Sequence, residues 1–413
     1  MWSITTERPG SLETSGRNNT PITSHENWQE ALANSLASVD ELVLEGLLKP
    51  HEASQLRNLG TAYQVRLTRY YASLMDNSDQ GRGTCPIRLQ ALPSLGEADP
   101  TLPSWAREWS LKAYGREVPW TPDAIGDLTR LAAPRLTHRY GNRAILHVSS
   151  MCALYCRFCF RKSHLNSKDR LLYDGSFDAA LEYLCAHPEI RELLLTGGDP
   201  LSLTDSALER LFDRLEGITH VKHLRIHSRM ASTLPHRLTD GLIETLARQR
   251  RFKIALVSHF NHPKEFTSFA RARLDGVASK GVALYNQSVL LRGVNDDGPI
   301  LEELFQSLYE SGVTPFYLHH PDWTPGTFHF RCSIARGQEL MSGLSGRLSG
   351  PALPHYVLDL PNGLGKVPLM ADKIKLIDTR SEPRLEGALY ELTPPKTLQK
   401  QASTVLYTDF SRP

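Results

Sequence analysis

Three of the chain's six cysteines lie within eight residues, at Cys152, Cys156 and Cys159. On a helix these offsets would place the thiols on one face, where free cysteine packs as a small hydrophobic residue. A structural zinc site normally takes four ligands in two pairs, and no second C-x2-C or H-x3-H pair lies nearby. Iron–sulfur clusters are held by thiolates, and three thiolates leave one iron of a four-iron cluster open. The spacing therefore favours an iron–sulfur cluster over the other two interpretations.

Six β-type runs, with helical patterns between them, surround this motif in the chain. Alternation of this kind predicts parallel βαβ units, in which a ligand site lies at the C-terminal strand ends. We predict an α/β fold: a partial (β/α)6 TIM-like barrel with an N-terminal helical region and a C-terminal segment. The six runs are AILHVSS (144–150), ELLLTGG (192–198), HLRIHSR (223–229), FKIALVSHF (252–260), ALYNQSVLL (283–291) and TPFYLHH (314–320).

Composition along the chain predicts four regions. Residues 1–24 are rich in Ser, Thr, Asn and Gly, which is typical of a disordered tail. Residues 25–143 combine short helical patterns with a proline-rich stretch that wraps a neighbouring surface, and residues 144–322 form the partial barrel. Residues 323–413 form the C-terminal segment.

Charge and hydropathy limit the classes of partner. The formal net charge is only +2, which argues against binding a nucleic acid, since that usually requires a strongly basic surface. No stretch reaches eighteen consecutive apolar residues, so no membrane span is predicted. The other cysteines are far apart in a long chain, which favours a reducing compartment, and we predict a cytoplasmic protein.

The cysteine motif, followed after the next strand by TGGDP (196–200), resembles the radical S-adenosylmethionine superfamily. This resemblance implies a [4Fe-4S] cluster on the three cysteines and S-adenosylmethionine on the open iron. It also implies that Phe158 lies near the adenine and that the glycine-rich turn receives the methionyl amine. The residues expected to contact S-adenosylmethionine are Phe158, Gly197, Gly198, Asp199, His259 and Gln287.

Over roughly residues 25–380 the chain more narrowly resembles lysine 2,3-aminomutase and its relatives. The segments that carry this resemblance are LTHRYGNR (136–143), MCALYCRFCFRK (151–162), TGGDPL (196–201), SHFNHPKE (258–265), NQSVLLRGVND (286–296), HFR (329–331) and LDLPNGLGKVP (358–368). The resemblance implies pyridoxal 5′-phosphate bound covalently by Lys366. Asn362 and Leu364 stand where the family's glycine-rich motif has glycines, which predicts a stiffer loop.

The same resemblance assigns the remaining site residues. Arg139, Tyr140 and Arg143 would lie near the cofactor phosphate, for which guanidinium groups are well suited. Arg161 would bind the α-carboxylate of the substrate. Asp322 and Asp359 would hold its distal ammonium, because two adjacent carboxylates repel each other unless a cation lies between them.

Two departures from the family pattern affect the prediction. Asp297 replaces a cysteine of the family's structural zinc site, and no cysteine follows Cys332, so we expect that zinc to be absent. The segment LHHPDWTPGTFHF (318–330), with His319, His320, Pro321 and Trp323, suggests a reshaped pocket whose aromatic ring could accept the guanidinium of arginine.

The predicted activity is the transfer of the α-amino group of L-lysine to Cβ, in an isomerase that uses a flavodoxin- or ferredoxin-type electron donor and is a homo-oligomer. Alternatives are an arginine 2,3-aminomutase of natural-product (antibiotic) biosynthesis, a radical enzyme of other chemistry, and a non-catalytic metal-binding module. The predicted partner is a free basic amino acid, and no nucleic acid or membrane is expected.

Overall fold

The computed structural model describes residues 27–60, 64–76, 78, 81, 83–165, 172–173, 175–249, 251–370, 372–398 and 403–413. The predicted tail, residues 1–24, lies outside them. The α-helices are α1 (Trp28–Ala33), α2 (Val39–Leu44), α3 (Pro50–Gly60), α4 (Arg69–Ser73), α5 (Pro86–Ala91), α6 (Ser104–Tyr114), α7 (Lys162–Leu165), α8 (Asp178–Ala186), α9 (Asp205–Glu216), α10 (Met230–Thr233), α11 (Asp240–Ala247), α12 (Ser268–Ser279), α13 (Gly298–Glu310) and α14 (Ile334–Leu344).

The strands form a large sheet and a small one. The large sheet contains β1 (Leu131–Ala133), β2 (Leu136–Tyr140), β3 (Arg143–Ser149), β4 (Glu192–Gly197), β5 (His223–His227), β6 (Lys253–Ser258), β7 (Ala283–Val289), β8 (Thr314–His319), β9 (His355–Leu360) and β10 (Gly365–Pro368). The small sheet contains β11 (Ile374–Glu382), β12 (Leu385–Leu392) and β13 (Val405–Ser411).

Strands follow one another across the large sheet in chain order. They are parallel from β3 to β9, with antiparallel pairs at both edges. The predicted α/β class with an open parallel sheet is confirmed, and the six predicted runs correspond to β3–β8. A seventh parallel strand, β9, was not predicted. The sheet extends beyond both predicted barrel limits, 144 and 322, and the domain boundaries themselves stay a prediction.

Helices cover the sheet through apolar faces of helical period. In α9 the buried side chains are Leu208, Leu211, Phe212 and Leu215, at the spacing that places them on one side. Helix α13 begins after Asp297, whose carboxylate accepts a 3.3 Å hydrogen bond from the amide of Ile300. Asp297, at the position where the resemblance implies a zinc cysteine, therefore serves here as a helix N-cap. No helix in the described residues is long and apolar enough to cross a bilayer.

The two ends of the large sheet approach each other through side chains. The amide of Lys366 in β10 donates a 2.8 Å hydrogen bond to the phenol oxygen of Tyr140 in β2. Nη1 of Arg139 lies 3.8 Å from Oδ1 of Asp359 in β9. In the described part of the chain the end strands β1 and β10 do not pair with each other. We call this junction between β2 and the β9–β10 hairpin the seam; it connects the two ends of the open sheet through side chains, without strand pairing.

A buried network attaches the small sheet to the end of β8. Asp409 in β13 accepts hydrogen bonds from Arg331 at 3.0 Å and, across 3.2 Å, contacts Nε2 of His320. The Arg331 guanidinium also lies 3.6 Å from the Trp323 ring centroid. These contacts direct His320 and Trp323 toward the small sheet.

Candidate active site

A cavity of about 610 Å³ lies at the C-terminal strand ends and reaches the seam. Polar side chains at the ends of parallel strands meet there because such strands place the same end at one mouth. All sixteen site residues predicted from the sequence line it: Arg139, Tyr140, Arg143, Cys152, Cys156, Phe158, Cys159, Arg161, Gly197, Gly198, Asp199, His259, Gln287, Asp322, Asp359 and Lys366.

The three cysteines lie in the loop that follows β3, and each is partly exposed. Residues 151–160 contain no helix, so the interpretation as structural cysteines on a helix face is wrong. Shielding from bulk water raises the pKa of Cys152, and that of Cys159 to about 11, and the neighbouring thiols add to the effect. Three thiols that line one cavity form a donor set that a positively charged iron–sulfur core would stabilise in the thiolate form.

Buried ion pairs hold the cysteine loop in place. Glu97 accepts hydrogen bonds from Nε of Arg157 at 2.9 Å and from Nζ of Lys162 at 3.0 Å. Burial would raise the pKa of Glu97, but the two cations outweigh it and leave the pKa below its ordinary value. Arg157 lies between Cys156 and Cys159 in the chain, so its ion pair with Glu97 holds the cysteine loop in place.

The glycine-rich turn after β4 packs directly on the cysteine loop. Gly197 has φ +129°, and a Cβ atom there would lie 2.3 Å from the carbonyl oxygen of Ser149. A Cβ at Gly198 would lie 2.5 Å from the Met151 oxygen. The amides of Gly198 and Asp199 donate to those two oxygens, at 2.6 and 2.7 Å. The close approach requires glycine, and it aligns the turn with the thiols.

Aromatic and neutral polar groups line the wall beside the cysteines. The ring centroid of Phe158 lies 5.6 Å from that of His259. Nε2 of Gln287 lies 3.2 Å from Nδ1 of His227. Burial lowers the pKa of His227 and of His259, so both imidazoles are neutral near pH 7. The aromatic and neutral polar side chains of this wall can stack on a planar ring and form hydrogen bonds with its edge. One cation also lies beside the cysteines: Nη1 of Arg229 donates to Sγ of Cys156 at 2.7 Å.

Lys366 lies at the seam, directly opposite Asp359 in the β9–β10 pair. Its amine forms an ion pair with the Asp359 carboxylate and lies 3.3 Å from Nδ1 of His319. The turn between the strands contains Asn362 at φ +60°, a conformation that asparagine adopts more readily than most residues. The substitution of Asn362 for glycine is therefore compatible with the turn.

Three residues of β2 and β3 surround the same end of the cavity. Nη2 of Arg139 donates to the carbonyl oxygen of Ile125 at 2.8 Å, while its buried Nε has no hydrogen-bond partner in the described residues. The guanidinium of Arg143 lies 3.8 Å from the ring centroid of Tyr140. A buried donor without a partner usually indicates a missing acceptor, and a phosphate oxygen would satisfy it.

Carboxylates hold the other charged residues of the cavity. Asp127 accepts two hydrogen bonds from Arg161 on its Oδ2 atom, from Nε at 2.9 Å and Nη2 at 2.8 Å.

The two aspartates predicted to bind the substrate tail differ in protonation. Burial, and then the charge of Asp359, raises the pKa of Asp322 to about 8. Asp359 keeps its charge because Lys366, His319 and Arg139 outweigh the effect of burial and lower its pKa.

The expected reshaping of the pocket is wrong for His320 and Trp323, whereas His319 does line the cavity. Neither His320 nor Trp323 lines the cavity, because both face the small sheet. The sequence reasoning also missed Asp127 and Glu97. Each is a single acid outside the α-helices and strands, and neither residue type nor spacing distinguishes it.

Comparisons with known proteins find a cluster domain within the chain and relatives along most of its length. The family described as "4Fe-4S single cluster domain" matches residues 139–231, which include the three cysteines and the glycine-rich turn. A putative L-lysine 2,3-aminomutase of Aquifex aeolicus is 37% identical over 349 residues, covering 84% of this chain and 88% of that protein. The L-lysine 2,3-aminomutase of Fusobacterium nucleatum is 36% identical, over 83% of this chain and 76% of that one.

A relative with a different substrate in its name is almost as similar. The glutamate 2,3-aminomutase of Clostridioides difficile is 32% identical, over 83% of this chain and 76% of that protein. Overall sequence identity to these relatives therefore does not distinguish lysine from glutamate as the substrate, and the choice depends on individual residues of the cavity.

Proposed function

The chain belongs to the lysine 2,3-aminomutase family, and we propose that its substrate is free L-lysine, which it converts to β-lysine. As a radical aminomutase it is an isomerase. The observation that carries the proposal is the pair Asp322 and Asp359, which line one cavity with Lys366 and the three cysteines. A carboxylate tail such as that of glutamate would be repelled by this pair, whereas an ammonium would neutralise it.

The residues fit three cofactors. Cys152, Cys156 and Cys159 would hold a [4Fe-4S] cluster, with S-adenosylmethionine beside Phe158, His259 and Gln287. Lys366 would hold pyridoxal phosphate, and the unpaired Nε of Arg139 would meet its phosphate. When bound, the cluster and S-adenosylmethionine supply a carbon radical, and the pyridoxal ring supplies a π-system that stabilises a radical beside the migrating nitrogen.

The protein's own groups bind and orient the substrate. Arg161 would hold the α-carboxylate, and the two aspartates the ε-ammonium, so that the Cα–Cβ bond is fixed between two anchored ends. The substrate ammonium would take the place of the Lys366 ammonium beside Asp359. The strand ends and loops that wall the cavity would limit contact between bound substrate and bulk water, which a radical reaction requires.

Support for lysine over arginine comes from the names of the relatives, and from His320 and Trp323, two of the residues expected to reshape the tail pocket, which face away from it. The remaining tail groups are carboxylates and the His319 and Tyr317 rings. These groups are sufficient to bind an ammonium.

The proposal is tested by an anaerobic assay with reconstituted cluster, S-adenosylmethionine, pyridoxal phosphate and a chemical reductant. L-Lysine, L-arginine, L-ornithine and L-glutamate are compared, and products are identified by mass and NMR. We expect β-lysine. Lys366→Ala should lose both turnover and the visible absorbance of bound pyridoxal phosphate while keeping its iron.

Other outcomes would assign a different function. Formation of β-arginine in preference to β-lysine would identify an arginine 2,3-aminomutase. A protein that binds zinc in place of iron and does not cleave S-adenosylmethionine would be a non-catalytic metal-binding module. If cluster and pyridoxal phosphate are intact and no β-amino acid forms, the proposed function is wrong.

A further inference from the structure

Asp127 is the one acid in contact with two of the predicted ligand-binding arginines in the described residues. We propose that Asp127 is a positioning residue that orients Arg161 for the substrate α-carboxylate and joins it to the cofactor-binding seam. This inference rests on the proposed function, because it assumes that Arg161 binds an amino acid.

The geometry of the pair determines which edge of Arg161 remains available. Asp127 is buried, with a side chain 2% exposed, and its Oδ2 accepts from Nε and Nη2 along one edge of the guanidinium. The remaining nitrogen, Nη1, makes only a long 3.4 Å contact with Oγ1 of Thr196. A guanidinium has five N–H groups in a rigid plane, so a partner on one edge directs the other edge. Nη1 is therefore the group available for a carboxylate in the cavity.

Asp127 also links Arg161 to Lys366 through a row of side chains with alternating charges. Its Oδ1 lies 3.4 Å from Nη2 of Arg139, and Nη1 of Arg139 lies 3.8 Å from Asp359, the ion-pair partner of Lys366. The order is Arg161, Asp127, Arg139, Asp359 and Lys366, positive and negative in turn. Without Asp127, both guanidinium groups would lose the buried carboxylate that they share.

The loop that carries Asp127 is itself fixed against the seam. The carboxylate of Asp123 accepts from the amides of Asp127, at 2.7 Å, and of Leu128, at 3.1 Å. Gly126, at φ +73°, packs so closely on the turn before Lys366 that a Cβ atom would lie 2.2 Å from the amide nitrogen of Gly363. Asp127 is thus held in register with the lysine as well as with Arg161.

Glu97 and Asp127 have similar partners, but only the partners of Asp127 are predicted ligand-binding residues. Both acids are buried and pair with two cations, but Arg157 and Lys162, the partners of Glu97, do not line the cavity. Arg139 and Arg161, the partners of Asp127, both line it. Loss of Asp127 should therefore alter ligand binding at a defined substrate group, the carboxylate.

The test measures equilibrium binding of labelled L-lysine to the holoenzyme by dialysis without S-adenosylmethionine, so that no turnover is needed. L-Lysinamide, which lacks the carboxylate, is measured by competition. For Asp127→Asn we expect lysine binding to weaken about tenfold or more, as for loss of a well-placed charged contact. Lysinamide binding should stay within about twofold.

Matched variants make the result specific. Asp205→Asn removes the acid beside another buried arginine, Arg237, that does not line the cavity, and should leave both affinities unchanged. In an Arg161→Gln background, Asp127→Asn should add less than about twofold, because its effect acts through Arg161. If Asp127→Asn does not fold, Asp127→Glu keeps the charge but displaces the guanidinium, and should weaken lysine binding selectively.

The inference is overturned if Asp127 variants weaken lysine and lysinamide equally, if they weaken neither, or if the effects of Asp127→Asn and Arg161→Gln add independently. A wild-type protein that does not distinguish lysine from lysinamide overturns it as well. A wild-type protein that makes this distinction, yet forms no β-lysine when fully loaded, rejects the proposed function while the result for Asp127 stands.

Discussion

The backbone amide of Lys366 donates a 2.8 Å hydrogen bond to the phenol oxygen of Tyr140, which joins β10 to β2 across the open side of the sheet. The same seam contains the contact between Arg139 and Asp359. The lysine therefore sits where the two ends of the chain's large sheet meet, and its position depends on the curvature of the whole sheet. A substitution that breaks a contact across this seam should therefore disturb the position of Lys366 without removing a charged residue.

Tyr140→Phe should loosen the Lys366 strand, because it removes the acceptor for the lysine amide. We expect a loss of about 1 kcal/mol in the free energy of unfolding, measured with urea, as for one hydrogen bond. Pyridoxal phosphate, followed by its visible absorbance, should be lost faster on dialysis. Tyr183→Phe is the control, since Tyr183 makes a 2.9 Å hydrogen bond to His138 and does not line the cavity. Equal loss of cofactor from both variants would contradict the prediction.

Lysine binding should depend on pH through Asp322. Its raised pKa, about 8, means that the free protein carries a proton there at neutral pH. An ammonium favours the charged carboxylate, so binding releases that proton, and affinity should rise as pH increases from about 6 to 8 and then level off.

The control for this prediction is Asp322→Asn, which has no proton to release. We expect weaker binding and one fewer proton released per lysine bound at pH 7, measured by calorimetry in two buffers of different ionisation enthalpy. The same proton release in wild type and variant would show that Asp322 does not titrate with substrate.

Glu97→Gln should destabilise the cysteine loop, because it leaves Arg157 and Lys162 as buried cations without their carboxylate. Burial already lowers the pKa of Lys162 to about 8, with Glu97 opposing the shift. We expect a loss of about 3–5 kcal/mol in the free energy of unfolding, and lower iron content after reconstitution. Asp178→Asn, which breaks the exposed pair with Arg214, should change neither measurably. Normal stability of Glu97→Gln would mean that the loop is held by other contacts.

Gly126→Ala and Gly115→Ala form a matched pair at nearly the same backbone angle, φ +73° and +69°. A Cβ at Gly115 meets nothing within 4 Å, so alanine there should cost only the strain of the left-handed conformation, about 1–2 kcal/mol. At Gly126 the Cβ would overlap the turn before Lys366. We expect a larger loss of stability and weaker retention of pyridoxal phosphate for Gly126→Ala alone, and similar values for the two variants would argue against tight packing of this loop.

Local signals in the sequence predicted much of the fold and the composition of the site. The strands β3–β8 are short apolar runs between helical patterns, and their polar ends, from Gly197 to Asp322, line one cavity because parallel strands direct them there. The C-x3-C-x2-C spacing and the position of Lys366 are likewise readable from residue order. The strand β9 is absent from the predicted runs because the second half of its sequence HYVLDL belongs to the segment LDLPNGLGKVP, in which the signal is that of a cofactor motif.

The sequence by itself thus determined which groups are available for chemistry, because motif spacing and strand alternation are local properties. Only the tertiary structure decided how those groups are paired. Asp127 meets Arg161, Glu97 meets Arg157, and Tyr140 meets Lys366 across 34, 60 and 226 positions. It also turned His320 away from the cavity and toward Asp409. Such contacts depend on how the sheet curves and where irregular loops pack, and no periodicity of the sequence encodes them.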